Sequence, residues 1–373
     1  MGSIVISGTG LYTPAEAISN EELVESFNSY ARAYNESHGA EIEAGSVAAI
    51  QESSSEFIEK ASGIKSRYVM DKAGILDPDR MCPRLPERSD DEASIQCEMG
   101  AIAAREALET ANKNSGQIDA IIVACSNLQR PYPAIAVELQ EALGIQGFAF
   151  DMNVACSSAT FGIQLAADTI AGGSADAVLV VNPEICSGHL NFRDRDSHFI
   201  FGDVCTAMVV EKSSQAMSND QFEILGTKLQ TAYSNNIRNN FGFLNRGDDQ
   251  GIGKPDKLFV QQGRKVFKEV VPLVAELIST HLEEMEIPLG DVKRMWLHQA
   301  NLAMNQLISK RVLGRQASAA ESPTILDEYA NTSSAGSIIA YHKYHQDFAK
   351  GDIGVICSFG AGYSVGSVIV KRT

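Results

Sequence analysis

The stretch that decides the fold is FAFDMNVACSSATFGIQLAADTIAGGSADAVLVV, residues 148–181. Residues 148–154 predict a strand. Residues 157–171, rich in Ala, Ile and Leu, predict a helix that the glycines at 172 and 173 terminate. Residues 177–181 form a continuous apolar run, which is typical of a strand buried on both faces. A strand, a helix and a strand in this order predict the repeating unit of an α/β fold with a mostly parallel sheet.

The same alternation extends along the chain in both directions. Its first elements are a strand at 4–6 and a helix at 21–33, followed by a helix at 94–112, a strand at 118–125 and a helix at 134–143. Beyond the central stretch we predict helices at 265–285, 302–312 and 336–349, and strands at 293–297, 353–358 and 367–371.

The two halves of the chain resemble each other. Cys156 follows Asn127, the end of IDAIIVACSN, at nearly the same distance as Asn331 follows Asn301, the end of VKRMWLHQAN. The blocks ACSSATFG and ANTSSAGS share Ala and Ser-Ser-Ala, with Thr332 as an extra residue in the second. We therefore predict a duplicated unit. Its halves are residues 1–215 and 216–373, with an inserted helical flap at 27–55 and a proline-rich loop at 71–91.

Composition limits the kind of protein. The chain has 373 residues, 44% of them hydrophobic and 21% charged, which is typical of a globular protein with more than one core. A net charge of −16 argues against a nucleic-acid partner. Apolar runs are too short to cross a membrane, and the first residues lack the pattern of a secretory signal. The seven cysteines have neither close pairing nor zinc spacing, so we expect a cytoplasmic protein without a structural metal.

Three residues at helix starts or strand ends are candidates for chemistry. Cys156 precedes the helix at 157–171, where the helix dipole lowers a thiol pKa; a small buried side chain is the alternative. His298 ends a strand, where side chains of α/β folds face the ligand crevice. Asn331 heads the corresponding helix of the second half, where it could also be only a helix cap. The duplication points Cys156 and Asn331 toward each other, with His298 between them.

A glycine pair near the C-terminus is a fourth candidate feature. Gly360 and Gly362 flank Ala361 directly after the strand at 353–358. Two glycines around a small residue permit a tight turn whose backbone N–H faces a ligand. With the backbone N–H of Cys156, this turn would form an oxyanion hole. A plain hairpin turn is the alternative.

Four blocks, in the order DMNVACSSATFG, HQAN, ANTSSAGS and SFGAGYSVGS, resemble the signature blocks of the β-ketoacyl-acyl-carrier-protein (ACP) synthase III family in the thiolase superfamily. The resemblance covers nearly the whole chain. It implies a duplicated, five-layered αβαβα fold, a homodimer, and a catalytic triad that falls on Cys156, His298 and Asn331.

The reaction that this resemblance implies is a decarboxylating Claisen condensation in fatty-acid biosynthesis. Cys156 takes an acyl primer from acyl-CoA, malonyl-ACP loses CO₂, and the enolate attacks the acyl-enzyme to give 3-ketoacyl-ACP. His298 Nε2 and the Asn331 amide can donate hydrogen bonds to the oxygen on which the enolate charge develops. The N–H groups of Cys156 and Ala361 can hold the second oxyanion. Neither a metal nor a redox cofactor is needed.

Several further positions resemble binding residues of the family. Phe359 resembles the aromatic residue beside the decarboxylation site, and Asn301 resembles the asparagine that contacts the pantetheine arm. Tyr132 falls where the family has an aromatic residue that crosses the dimer interface to the acyl pocket. Lys268, Lys310 and Arg311 fall where the family presents positive charge to its acidic carrier protein, although each could be an ordinary surface charge.

The chain departs from the family at the CoA entrance. Phe57 and Ala61 stand where the family has the Trp and Arg that sandwich adenine, and Ala303 replaces a basic residue. We therefore expect weaker adenine stacking and a primer other than acetyl-CoA, such as a medium-chain acyl group or one delivered by a carrier.

Other reactions stay open at this point. Olefin-forming relatives condense two acyl-CoAs without decarboxylation, but they place a glutamate base where this chain has Tyr132; Glu138 lies nearby. Acyl transfer from Cys156 to an amine or hydroxyl in secondary metabolism is a third possibility. A non-catalytic dimeric binding protein is disfavoured because all three triad positions are filled. The sequence does not specify the chain length of the primer.

Overall fold

The order of elements follows the predicted alternation. The structure is a computed structural model that describes residues 2–89, 91–239 and 258–373. The elements of the first half are β1 (Ile4–Tyr12), β2 (Glu16–Ser19), α1 (Asn20–Ser37), α2 (Gly39–Glu43), α3 (Ser55–Ser62), β3 (Ser66–Val69), α4 (Lys72–Leu76), α5 (Ile95–Thr110), β4 (Ala120–Ala124), α6 (Ile135–Leu143), β5 (Phe148–Met152), α7 (Ser158–Ala171), β6 (Ala177–Ile185) and β7 (Asp203–Lys212).

The second half repeats this alternation, with short connecting 3₁₀ turns. Its elements are β8 (Phe222–Ser234), β9 (Ile237–Asn239), β10 (Phe259–Gln261), α8 (Gly263–Glu284), β11 (Val292–Leu297), α9 (Leu302–Leu313), α10 (Leu326–Tyr329), α11 (Gly336–Tyr344), β12 (Ile353–Gly360) and β13 (Gly362–Arg372). The predicted boundary near residue 215 falls in the connection between β7 and β8.

Nine strands of the described chain form one mixed sheet in the order β5-β4-β6-β7-β1-β8-β13-β12-β11. In the first half, β4 is parallel to β6, and β7 is antiparallel to both β6 and β1. In the second half, β11 is parallel to β12, and β13 is antiparallel to both β12 and β8. The series β4-β6-β7-β1 and β11-β12-β13-β8 are therefore the same arrangement, which confirms the predicted duplicated α/β fold.

Strand β4 shows how the first half packs between helices. Ala120, Ile122 and Ala124 belong to a core that contains α7, whereas Ile121 and Val123 belong to a core that contains α5 and α6. Side chains alternate along a strand, so this sheet is covered by helices on both faces. The apolar run at 177–181 predicted such double burial for β6, whose Val178 and Val180 lie in the first of these cores and whose Leu179 and Val181 lie in the second.

Helices α7 and α11 form the central layer of the molecule. Ile163 of α7 and Ile338 of α11 share one core with Ile122 of the first half and Ile356 of the second. On the opposite face of the second half, Val355 packs in a core with residues of α8 and α9. The layers are therefore α5 and α6, the strands of the first half, α7 and α11, the strands of the second half, and α8 and α9. This is the predicted five-layered αβαβα arrangement.

Residues 27–55 comprise the second part of α1, the short helix α2 and an extended return segment. Phe27 is fully buried in a fourth core, so the first residue of the predicted flap is part of the folded body. Two asparagines of α1 hold the return segment by paired hydrogen bonds. Asn28 exchanges bonds of 3.1 and 2.8 Å with the backbone of Ser53, and Asn35 exchanges two bonds of 2.9 Å with the backbone of Ile50.

Two predicted elements differ in the structure. The helix predicted over 336–349 ends at Tyr344, and residues 345–352 lead into β12 without regular structure apart from turns. The predicted loop at 71–91 contains the short helix α4, because the Asp71 side chain caps it by accepting from the Gly74 N–H at 3.0 Å. Within the described part of the chain, no helix is both long enough and apolar enough to cross a membrane.

Candidate active site

Each half of the chain turns sharply just before a residue that we predict to be functional. Ala155 has a φ of 48° directly before Cys156, and Ala330 has a φ of 56° directly before Asn331. The left-handed region is unfavourable for an alanine, and such strained turns cluster at functional sites. Cys156 then leads into α7, and Asn331 leads through a short 3₁₀ turn into α11. The duplication thus extends to backbone conformation at the site.

His298 follows the last residue of β11. Its backbone N–H donates to the carbonyl of Cys357 at 2.8 Å, which extends the pairing with β12 by one step. The His298 side chain is 1% exposed, and its ring meets the ring of Phe359 edge to face, with centroids 5.1 Å apart. Nδ1 has no hydrogen-bond partner among the described residues.

One cavity of about 510 Å³ brings the predicted residues together. Cys156, His298 and Asn331 all line it, although they come from three distant parts of the chain. The predicted binding residues Phe57, Asn301 and Phe359 line the same cavity. Tyr132, Lys268, Lys310 and Arg311 are exposed elsewhere on the surface, and Tyr132 is 81% exposed.

Ser333 contacts all three predicted triad residues, and the sequence analysis missed it. Its hydroxyl donates to the Cys156 sulfur with an Oγ–Sγ distance of 3.4 Å, and its backbone N–H donates to Asn331 Oδ1 at 2.9 Å. Its backbone also lies close enough to the His298 ring to offset part of the lowering of the His298 pKa by burial. Because Asn331 Oδ1 is occupied, the Nδ2 amide is the end of that side chain available to a ligand. The extra residue Thr332 was the one signal that this turn differs from its counterpart.

The end of β12 approaches Cys156 closely. A Cβ at Gly360 would lie 2.6 Å from Cys156 Cβ and 3.1 Å from Cys156 Sγ, so only glycine fits there. The backbone N–H groups of Cys156 and Ala361 lie close enough to the sulfur to favour its thiolate form, which lowers the thiol pKa against the effect of burial. They are the two donors predicted for the oxyanion hole.

Burial dominates the electrostatics of the site. It raises the pKa of the Cys156 thiol to about 11, although the hydrogen bond from Ser333 and the two backbone N–H groups work in the opposite direction. The prediction that the helix start lowers this pKa is wrong, because desolvation of the thiolate outweighs these favourable contacts. Burial also lowers the pKa of His298 to about 3, so its imidazole is neutral at pH 7.

The mouth of the cavity contains a cation that the sequence did not reveal. The Arg195 guanidinium lies 4.0 Å from the centre of the Phe57 ring, and its Nε donates to the backbone carbonyl of Glu52 at 2.8 Å. Asn301 caps α9 through its side-chain oxygen and donates to the carbonyl of Ala61 at 2.8 Å. Arg195 follows no motif, and only the folded chain brings it to Phe57.

Glu138, the acid nearest to Tyr132 in sequence, is already engaged. It accepts from Arg130 Nε at 2.7 Å and from the Ser94 backbone N–H at 2.8 Å. Glu138 is not among the residues that line the cavity, so it does not reach the site of the predicted chemistry. Among the described residues, no cluster of three or more His, Cys, Asp or Glu side chains is arranged to hold a metal ion.

Two duplicated halves that share one cavity around the half-buried Cys156 define the chain as a thiolase-fold acyltransferase. Residues 150–232 match the family model described as 3-oxoacyl-[acyl-carrier-protein (ACP)] synthase III, and residues 282–372 match the model of its C-terminal region. The chain is 66% identical to a β-ketodecanoyl-[acyl-carrier-protein] synthase of Pseudomonas aeruginosa, over 94% of this chain and 100% of that protein. The chain therefore belongs to the 3-oxoacyl-[acyl-carrier-protein] synthase III family.

More distant relatives agree with this assignment. A β-ketoacyl-[acyl-carrier-protein] synthase III of Brucella anthropi is 30% identical over 86% of this chain and 92% of its own length. The crystal structure of 3-oxoacyl-[acyl-carrier-protein] synthase III from Aquifex aeolicus superposes with a TM-score of 0.75, covering 99% of both chains at 24% identity. The structural match to the Aquifex aeolicus protein confirms the fold. Condensation in fatty-acid synthesis is thus favoured over the non-decarboxylating alternative.

The raised thiol pKa predicts how Cys156 reacts in the free enzyme. A pKa of about 11 means that the thiol is protonated at pH 7 and that the reactive thiolate becomes more abundant as pH rises. We expect the rate of alkylation by iodoacetamide to increase roughly tenfold per pH unit between about pH 7 and 9. Peptide mass spectrometry would measure this rate, with Cys156→Ala as the control for other cysteines. An alkylation rate that stops rising below about pH 8 would contradict the prediction. It would mean that the pKa of the Cys156 thiol is lowered after all.

Proposed function

We propose that this chain condenses a medium-chain acyl primer of eight carbons with malonyl-ACP to give 3-ketodecanoyl-ACP. The single observation that supports this product is the 66% identity, over its full length, with a synthase named for β-ketodecanoyl-[acyl-carrier-protein]. Decarboxylating condensation with malonate adds two carbons, so a ten-carbon product requires an eight-carbon primer. Acyl-CoA is the proposed donor.

The lining of the cavity is consistent with such a primer. Much of the wall is apolar and aromatic, and it includes Phe199, Phe201, Phe259, Val270 and Met304. An octanoyl group has six more methylenes than an acetyl group. Burying them contributes up to about 5 kcal/mol at roughly 0.8 kcal/mol each. A cavity lined in this way therefore favours a longer chain over acetate.

In the proposed first step, Cys156 Sγ attacks the thioester carbonyl of the primer. The oxyanion that forms accepts hydrogen bonds from the backbone N–H groups of Cys156 and Ala361, which already lie beside the sulfur. When it collapses, the bond to the CoA sulfur breaks, and CoA leaves as a thiol that carries the proton lost by the Cys156 thiol. The acyl chain remains on Cys156 as a thioester.

In the second step, malonyl-ACP takes the place of CoA in the cavity. The neutral imidazole of His298 and the free Nδ2 amide of Asn331 donate to the malonyl thioester oxygen. Loss of CO₂ leaves its electron pair on the α-carbon as an enolate, which these donors stabilise. The α-carbon then attacks the acyl carbonyl on Cys156, and the sulfur leaves as the product departs. The Phe359 ring packs edge to face against the His298 ring beside these donors.

The substrate of this family is attached to an acyl carrier protein. We propose where that carrier protein docks on this chain. Helices α8 and α9 both contribute to the cavity wall through residues near their N-termini, such as Val266 and Met304. They also bear the exposed side chains of Lys268, Lys310 and Arg311. These cations would meet acidic residues of the carrier while its pantetheine arm enters past Phe57 and Asn301.

We also propose that the chain forms a homodimer through its β5 end. β5 ends the sheet, so one of its edges pairs with no described strand. Phe148 on this strand is 41% exposed, Leu165 on α7 is 38% exposed, and Tyr132 is 81% exposed. Exposed apolar groups at an open strand edge favour association with a second copy.

The condensation is tested by two linked measurements. We expect intact-mass spectrometry to show an acyl adduct that forms faster with octanoyl-CoA than with acetyl-, butyryl- or dodecanoyl-CoA and is lost in Cys156→Ala. Adding malonyl-ACP should convert the adduct to 3-ketodecanoyl-ACP. His298→Ala should still form the adduct but lose roughly 100-fold or more in condensation. An octanoyl adduct that malonyl-ACP leaves unchanged would instead support transfer to another nucleophile.

Carrier docking is tested by charge reversal. The double variant Lys310→Glu/Arg311→Glu should raise the KM for malonyl-ACP roughly fivefold or more, because like charges oppose the encounter. The effect on loading from octanoyl-CoA should be much smaller, since that donor has no carrier protein. Lys350→Glu, at another exposed lysine, is the matched control. Equal effects of both changes would contradict this docking site.

The dimer is tested by native mass spectrometry at micromolar concentration. We expect a mass twice the 40.2 kDa of one chain. Phe148→Asp should shift the protein toward monomer because it places a charge at the buried edge. A wild-type protein that remains monomeric would refute the proposed interface.

A further inference from the structure

Glu184 is a buried carboxylate that links the two halves of the chain behind Cys156. It lies near the end of β6 in the first half and is fully buried. One oxygen accepts from the Ser126 backbone N–H at 2.9 Å, and the other accepts from the Ser126 hydroxyl at 2.6 Å. The backbone N–H and the hydroxyl of Ser334, in the second half, donate to the first of these oxygens. Four donors from two serines thus hold the carboxylate.

Ser334 directly follows Ser333, whose backbone has a φ of 50°. A serine rarely adopts this conformation unless its surroundings impose it. The hydrogen bond from the Ser334 hydroxyl to Glu184 fixes one side of the turn at Ser333. The hydrogen bond from the Ser333 N–H to Asn331 Oδ1 fixes the other side. Held in this way, the Ser333 hydroxyl points at the Cys156 sulfur from a distance of 3.4 Å.

We infer that Ser333 is a further catalytic residue and that Glu184 is its positioning residue. The Ser333 hydroxyl donates a hydrogen bond to the Cys156 sulfur each time that sulfur bears negative charge, before acylation and again when the product leaves. The hydroxyl keeps its proton throughout, so it stabilises the charge without transferring a proton. This inference rests on the proposed role of Cys156 as nucleophile.

Glu184 acts on Cys156 in two opposite ways, and this makes the inference testable. Its negative charge raises the pKa of the thiol through space, whereas the Ser333 hydroxyl that it helps to hold lowers that pKa. Other titratable groups around Glu184 and Cys156 are the neutral His298, the thiols of Cys125, Cys186 and Cys205, and Asp203, which faces Ile185 across the sheet. Burial raises the pKa of all three thiols well above their usual value, so they are neutral as well. Burial also raises the pKa of Asp203 to about 6, so it is charged near pH 8.5 in the wild type and in every variant alike.

The first test compares Ser333→Ala with Ser157→Ala. Ser157 is also a buried serine beside Cys156, but its hydroxyl donates to the carbonyl of Ser364 at 3.0 Å. We expect Ser333→Ala to slow alkylation of Cys156 by iodoacetamide threefold to tenfold at a fixed pH near 8.5. Less thiolate forms, and its higher nucleophilicity offsets only part of that loss. Ser157→Ala should remain within about twofold of wild type.

The second test separates positioning from simple electrostatics. If Glu184 acted only through its charge, Glu184→Gln would remove a nearby negative charge and accelerate alkylation. Because it positions Ser333, we expect Glu184→Gln to slow alkylation about threefold or more, and Ser334→Ala, which changes no charge, to do the same. Adding Glu184→Gln to Ser333→Ala should cause no further loss. Alkylation of buried Cys125 or Cys205 in the same digest would reveal an unfolded variant.

Each outcome decides the inference. A loss below threefold in Ser333→Ala, or any acceleration, overturns the role of Ser333. Acceleration in Glu184→Gln, or an additive loss in the double variant, overturns the positioning role of Glu184. If Glu184→Gln unfolds, Ser334→Ala decides in its place. Alkylation needs neither acyl-CoA nor carrier, so failure of the proposed condensation would appear separately, as a missing acyl adduct.

Discussion

The structure depends on one packing constraint, the burial of α7 and α11 between the strands of the two halves. Both helices lie in the core that Ile122 and Ile356 share, so neither half can be moved without exposing that core. The approach is close: a Cβ at Gly366 on β13 would lie 2.2 Å from Thr160 Oγ1 on α7. Each helix is preceded by the turn that presents Cys156 or Asn331, so packing of the central layer fixes how these two side chains meet.

The same burial determines the chemistry that the site can perform. It leaves the thiol protonated, with a pKa of about 11, and the imidazole neutral, with a pKa of about 3. A neutral pair avoids placing an isolated charge in a largely apolar cavity. Charge then develops only during reaction, and the donors that receive it are already in position. Preorganised donors in a low-dielectric site stabilise a transition state more effectively than flexible ones.

The sequence was sufficient to predict the duplicated fold and the meeting of Cys156, His298 and Asn331, because each follows a repeated strand or helix boundary. It was insufficient for Ser333, Glu184 and Arg195, whose contacts with Cys156, Ser334 and Phe57 join segments far apart in the chain. The predicted lowering of the Cys156 thiol pKa was wrong for the same reason. A helix start is visible in the sequence, but the depth of burial that outweighs it belongs to the folded chain. Local patterns therefore locate reactive residues better than they predict their protonation.

The predicted insertion at 27–55 contacts the mouth of the cavity. This contact affects which acyl donors can enter. The Glu52 carbonyl in the return segment holds Arg195, which covers the Phe57 ring at 4.0 Å. No planar base fits between two groups at that separation, so a nucleotide could reach the ring face only by displacing the arginine. A carrier-bound pantetheine arm has no base and needs no such displacement. The mouth as it stands therefore admits the carrier-bound arm directly, whereas octanoyl-CoA, the proposed primer donor, would enter with its adenine away from the Phe57 face that Arg195 covers.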